Sequence, residues 1–499
     1  MGQALQSLTL AGILLSGLVS NHAFAQDGAD TEADAAKPAA TAEAEPSAAA
    51  AEAPAATPAV THVAPDTTAA PAAPATPKFG DTTTRGYFRG GFGASNQKGR
   101  QTCFSLALAG GTLSKYRLGN ECEVWAEMEF TTVVYAGDDG TVASVHFMPT
   151  AFIPTSQIGY PPTGVTSSDL GSPGTGATVA FPNLYADIKG IPWLGGGTGW
   201  VGTRYYKRES VYISDFFYWN PSGVGGGVED INIGKDLRLS LATFAVDGQP
   251  NGSPQLPMRV DMGLRHDVQL RGIKPYEGGE FQLGFQFIQD WSGTKDDNSG
   301  LPLERKTHGG WGVTLQHVQK LLGGENKLAF QFGKGGGTGF GTLSRFYYPD
   351  FSLYFSPSES RLRVVDVLTI QPIPELGAQV GLVYEHDDLG NAGQKTDWYS
   401  AGARVSWGFT EHAKLLGEAG VDRVKKSNGS DPQFLAKFTI APALAAAKGF
   451  WARPELRLFY TWAMWNETAR GATIDSGRLY TTSQLLSGAT FGLQAEAMW

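Results

Sequence analysis

The sequence predicts an all-β fold, and more narrowly an antiparallel β-barrel whose strands cross a membrane. Three observations carry this. Gly makes up 65 of 499 residues, while 12 Trp, 17 Tyr and 27 Phe keep the chain rich in apolar mass. That Gly share, about 13%, is nearly twice the ordinary one. From Phe79 onward, apolar residues recur at every second position, the period of a strand with two unlike faces. Finally, Phe491, Leu493, Ala495, Ala497 and Trp499 share one face of a strand that runs to the end of the sequence. No G-X-Y period appears, which excludes collagen, and the aromatic content excludes disorder over the whole length. So many Gly fit a helical bundle poorly.

Taken in order, residues 1–25 read as a secretory signal peptide. They carry no formally charged side chain, Leu8 to Val19 is a short apolar run, and Ala23-Phe24-Ala25 is an A-x-A cleavage site. The run is too short for a membrane-spanning helix, which needs roughly 18–20 apolar residues. Residues 26–78 form an Ala/Pro-rich linker, with 22 Ala and 8 Pro in 53 positions. Its eight acidic residues stand against Lys37 and Lys78, so it holds −6 of the formal net charge of −9. Such a segment cannot build a core and is expected to be disordered. In polyproline form it spans at most ~160 Å, enough to cross a periplasm or touch a cell wall, and equally suited to an inert spacer. The remaining residues, 79–499, are close to neutral. An acidic whole and a balanced barrel argue against a nucleic-acid partner.

Within 79–499 the alternation is explicit. Val124, Ala126, Met128 and Phe130 alternate with Trp125, Glu127 and Glu129. Phe281, Leu283, Phe285 and Phe287 alternate with Gln282, Gly284 and Gln286, and Leu456, Leu458, Tyr460 and Trp462 with Glu455, Arg457, Phe459 and Thr461. Turn clusters such as Gly195-Gly196-Gly197 and Asn220-Pro221-Ser222-Gly223 separate these runs. A soluble sandwich would turn the apolar faces inward. It rarely extends over 421 residues without a boundary, and no second linker follows Lys78. A closed barrel abolishes sheet edges and turns the apolar faces to lipid. Cys103 and Cys122, the only cysteines, are expected to pair in an oxidising compartment. A metal site is not expected from two thiols without a nearby His.

Several blocks make a family resemblance specific. Ser114 to Glu123 (SKYRLGNECE), Trp200 to Arg208 (WVGTRYYKR), Asp215 to Gly223 (DFFYWNPSG), Trp451 to Pro454 (WARP) and the terminal FGLQAEAMW occur in order. Together they resemble the maltoporin, or sugar-specific porin, family. The resemblance implies an eighteen-stranded barrel in the outer membrane of a Gram-negative bacterium, assembled as a homotrimer in lipid. It also implies facilitated diffusion of oligosaccharides, without a cofactor or an enzymatic activity.

A sugar ring offers apolar C–H faces and a polar hydroxyl rim, so a conducting path needs aromatic faces beside ionisable side chains. Parity alone supplies candidates: Tyr87 and Arg89 share a face, Trp125 and Glu127 share another, and Trp451, Arg453, Glu455 and Arg457 a third. The resemblance places an aromatic slide on Tyr87, Trp125 and Trp451, with Met498 where its last aromatic is usual. It places a polar track and constriction on Arg89, Arg117, Glu127, Arg208, Asp215 and Phe217. Phe217 stands where a Tyr is usual, and Ser210 where a carboxylate is, so preference for maltodextrins stays open. A slide position near His266 is too loosely aligned to assign. The same aromatic and charged residues also suit a girdle or lumen packing.

Other signals are bland. Gly197 to Gly202 matches G-x-G-x-x-G but leads into a strand, and Gly333 to Gly341 lacks the ending of a phosphate cradle. His386-Asp387-Asp388 reads as a solvated loop. The alternatives to a sugar channel are a general or anion-preferring diffusion pore and, more remotely, a barrel adhesin or outer-membrane enzyme.

Overall fold

The computed structural model describes residues 77–108, 111–112, 115–154, 178–247, 262–290, 309–340, 358–388, 390, 395–470, 473–474 and 484–499. The expected signal peptide and nearly all of the Ala/Pro-rich linker lie outside the described residues. Eighteen strands form one antiparallel sheet. They are β1 (Thr82–Ser95), β2 (Glu123–Ala136), β3 (Val142–Pro154), β4 (Thr178–Ile191), β5 (Gly197–Arg204) and β6 (Gly223–Gly234). Then come β7 (Leu237–Asp247), β8 (Met262–Tyr276), β9 (Gly279–Asp290), β10 (Gly310–Leu321), β11 (Gly324–Gly335) and β12 (Ser360–Ile373). The last six are β13 (Leu376–Asp388), β14 (Lys395–Gly408), β15 (Ala413–Lys426), β16 (Gln433–Ala445), β17 (Glu455–Trp465) and β18 (Ser487–Met498). Each pairs with its sequence neighbours, and β18 closes the ring on β1 through Tyr87↔Met498 to Ser95↔Thr490. The strand count matches what the resemblance implied.

The alternation read from sequence becomes an inside and an outside. Along β17 every odd residue from Glu455 to Trp465 is buried, and every even one from Leu456 to Met464 is exposed. Glu455, Arg457 and Thr461 face the lumen, while Leu456, Leu458, Trp462 and Met464 form part of the lipid band. Trp499 continues the outer face: its backbone exchanges both hydrogen bonds with Gly86. Its indole fills the space where a Cβ on Gly86 would stand. The two ends of the barrel differ. At one end most turns are short, with two residues between β8 and β9, β10 and β11, and β12 and β13. Gly278 and Gly323 take up the positive φ (78° and 74°) such turns need. The long loops lie at the other end.

Two expectations need correction. Trp451 and Arg453 are not on the strand of Glu455 and Arg457. They belong to the nine-residue turn 446–454, since β17 begins only after Pro454, which cannot donate to the ladder. His386 to Asp388 is no loop but the end of β13, with Asp387 turned inward onto Arg361 at 2.5 and 2.8 Å and His386 turned out.

Candidate functional site

Three connections fold into the lumen and meet there. The first, 96–122, is pinned by the Cys103–Cys122 disulfide, which closes as expected with Cα atoms 5.9 Å apart. The second, 205–222, carries a short antiparallel pair, Glu209–Val211 with Phe216–Trp219, around a tight turn at Tyr212–Ser214. They dock by backbone: the Lys115 amide donates to Ser214 O (3.1 Å) and that of Arg117 to Ile213 O (2.8 Å). The third is the turn 446–454 at the short-turn end.

A row of glycines receives the first two loops on the opposite wall. Gly381 of β13, Gly402 of β14 and Gly420 of β15 are register partners. The Tyr116 ring lies where side chains on Gly402 and Gly420 would project, and Val211 lies over Gly381. Tyr116 then shares a hydrogen bond with Ser400 Oγ (2.7 Å), and the Ile213 amide donates to Gln379 Oε1 (3.0 Å). Only a row without Cβ atoms lets two loops cross the barrel this closely.

At the crossing, six cations and five carboxylates form one connected ion network. Arg89 reaches Glu121 (2.9 Å), Glu123 (2.5 Å) and Asp215 (3.4 Å), and Lys115 bridges Asp215 (2.9 Å) and Glu123 (3.3 Å). Arg117 joins Glu121 (2.7 Å) to Glu496 (3.4 Å), and Arg453 joins Glu496 (2.9 Å) to Glu455 (3.0 Å). Arg457 completes the link between Glu455 and Glu496, and Lys414 pairs with Glu455. Burial opposes ionisation of Asp215, but Lys115 and Arg89 outweigh it and hold the carboxyl below the usual carboxylate range.

Glu496 is the hub. Its Oε1 accepts from the Tyr87 hydroxyl (3.0 Å) and the Tyr212 hydroxyl (2.6 Å), while Arg453 Nη2 donates to the Tyr212 oxygen (2.8 Å). The aromatic rings stand among these charges. Arg117 lies 4.8 Å from the Tyr212 ring and 5.8 Å from that of Tyr87, and Trp451 packs edge-on to Tyr212 at 4.8 Å. Met498 packs against the same cluster.

The structure therefore brings Tyr87, Arg89, Arg117, Asp215, Trp451 and Met498 together. Trp125 joins through Arg89, 5.8 Å from its ring. Glu127, Arg208 and Phe217 form an adjoining group: Tyr205 donates to Glu127 (3.3 Å), and the Arg208 guanidinium lies over Tyr205 (3.3 Å) and faces Phe217 (5.3 Å). His266 stands apart, on the outer face, hydrogen-bonded with Thr243 (3.0 Å). Sequence reasoning passed over Glu496 and Tyr212. Glu496 was legible by parity, opposite Leu493, Ala495 and Ala497. Tyr212 was not, because its place depends on where a loop travels.

Among known proteins, the LamB porin family matches residues 82–499. Solved structures similar in fold include OmpT of Vibrio cholerae, 8% identical, covering 85% of this chain and 100% of that one, with a TM-score of 0.38. The outer-membrane channel DcaP of Acinetobacter baumannii is 11% identical, with coverage of 84% and 98% and a TM-score of 0.42. OpdK of Pseudomonas aeruginosa, solved with vanillate, is 10% identical, with coverage of 84% and 99% and a TM-score of 0.44. Likeness at this level carries no argument about cargo.

Proposed function

The chain belongs to the LamB porin family, and from that premise we propose that its barrel conducts sugars through the constriction where Tyr87, Tyr212 and Trp451 meet Glu496. As a barrel of that family it is a passive diffusion channel of the outer membrane of a Gram-negative bacterium. One observation carries the sugar reading. Three aromatic rings and the Arg117, Arg453 and Glu496 side chains converge at one level of the lumen. Rings can meet the C–H faces of a pyranose while the charged groups exchange hydrogen bonds with its hydroxyls. Each contact is weak, as conduction requires release as well as entry.

In this reading Trp125, Arg89 and Met498 extend the path along the wall, while Glu127, Arg208, Asp215 and Phe217 shape the loop 205–222. A homotrimer embedded in lipid is part of the proposal. So is a periplasmic place for residues 26–78, because β1 starts at the short-turn end and outer-membrane barrels keep short turns in the periplasm. Liposome swelling tests the reading. Maltose and maltotriose should enter faster than neutral polyols of equal size, and equal rates would refute sugar selectivity.

A second reading, a general pore with mild anion preference, is favoured by a different observation. Tyr87 and Trp125 are only 4% and 5% exposed, and the network of six cations and five carboxylates leaves one positive charge over. Reversal potentials in a KCl gradient separate the two, since this reading predicts anion selectivity without block by any sugar.

A further inference from the structure

The outer face of β11–β15 at the long-loop end carries a basic patch that the channel does not use. Tyr384 and Tyr399, register partners on β13 and β14, pack with ring centroids 5.0 Å apart and face outward. They mark one level of the aromatic girdle at which a barrel leaves the hydrocarbon. Arg423 of β15 is the partner of Tyr399 in the next ladder and lies 5.8 Å from its ring. Lys425 is the next outward residue on β15, about 7 Å further along the strand toward the long-loop end. On β11, Lys334 projects outward beside Trp311.

None of these three cations has a carboxylate within 4 Å among the described residues. The nearby acids are engaged elsewhere. Asp388 pairs with Lys395 (2.9 Å), and Asp397 accepts from Tyr384 (3.2 Å) and sits 2.8 Å from His386. The corresponding level on β7–β9 holds the hydrogen-bonded ladder of Thr243, His266 and Gln289, with no Lys or Arg among them, so the basic patch is local.

We propose that Arg423 and Lys425, with Lys334, bind the phosphates of the glycolipid headgroup in the outer leaflet. Position and charge both point to it. A lipid-facing cation just above the girdle sits at headgroup depth, where a phosphate is the anion at hand. Guanidinium and ammonium groups form charge-assisted hydrogen bonds to phosphate oxygens, and the acyl chains then lie on the apolar band below. The inference is independent of what the lumen conducts, so its failure leaves the sugar reading untouched, and the converse holds.

The test uses the full-length protein in detergent, with bisphosphorylated lipid A, the same lipid A dephosphorylated, and inorganic phosphate as probes in native mass spectrometry. The double variant Arg423→Ala/Lys425→Ala should bind lipid A roughly thirtyfold more weakly, the scale of losing two interfacial cations. Lys274→Ala, at the short-turn end, should stay within twofold, and dephosphorylated lipid A should bind the unaltered protein at least as poorly as lipid A binds the double variant, which keeps Lys334. Single-channel conductance, unchanged in the double variant, certifies its fold, and Lys334→Ala gives an independent smaller loss. Equal lipid A binding by the unaltered protein and the double variant would overturn the proposal. So would indifference to dephosphorylation, or full displacement of lipid A by millimolar inorganic phosphate.

Discussion

The lumen has two unlike walls. On β16–β18, β1 and β2 it is ionic, with Lys437, Glu455, Arg457, Glu496, Arg89 and Glu127 all buried. On β9–β11 it is built of amides: Gln282, Gln286, Gln316 and Gln331 face inward, with Gln316 donating to Gln282 (3.1 Å) and Gln331 to Thr314 (3.1 Å). The inward loop touches both. Tyr212 bonds to Glu496 on the ionic side, and Tyr218 donates to Gln316 (2.7 Å) on the other. The contrast teaches how the two walls are held. Neutral amides find partners at little electrostatic cost, in each other, in Thr314 or in the Gly337 carbonyl, whereas buried charges require that every partner be present. The ionic wall is therefore the vulnerable one, and in the proposed reading also the selective one.

Removing the hub should give the largest effect. Glu496→Ala leaves Arg453 and Arg457 to share Glu455 alone, takes one carboxylate from Arg117, and is expected to cost about 3–5 kcal/mol, the scale for breaking a buried ion pair on one side, read from urea unfolding in micelles. Next comes the wall that receives the loops. Gly402→Val puts a side chain into the Tyr116 ring and should cost about 1–3 kcal/mol by overpacking. It should also raise single-channel conductance as the loop 96–122 is displaced, and an unaltered conductance would show that the glycine row does not seat the loops.

Trp451→Ala should weaken sugar block by about 1–2 kcal/mol, the scale of a lost ring contact, with stability little changed. Acidification should leave the Asp215 anchor intact in the ordinary range. Asp215 is ionised in the fold at a pH below its unfolded value near 3.9, so its contribution is complete above about pH 4 and fades only as pH falls through the depressed folded value. The Asp215 anchor should therefore hold from pH 8 to 5, so any conductance change in that range should survive Asp215→Asn, and its loss in that variant would contradict this assignment. The amide wall should respond least: Gln331→Leu is expected to cost about 1 kcal/mol and leave ion selectivity as it was.

Much of the ionic wall was legible in the sequence, because period two separates Glu127 from Met128 and Arg457 from Leu458 without knowledge of the fold. Gln282 and Gln286 were equally visible opposite Phe281 and Phe285. What local spacing cannot show is register. Gly381, Gly402 and Gly420 lie in separate strands, and only strand pairing makes them one trough. Loop trajectories are hidden for the same reason. Tyr212 and Trp451 reach each other across 239 positions of sequence, and Trp451 read as a strand residue because parity happens to continue through the turn that ends at Pro454.

Sugar recognition by the ring-and-charge constriction is open to planar-bilayer recording with maltotriose to maltohexaose on one side. Current block should be concentration-dependent, strengthen with chain length and be weakened by Trp451→Ala. A current that no oligosaccharide reduces, in a channel of normal conductance, would contradict it.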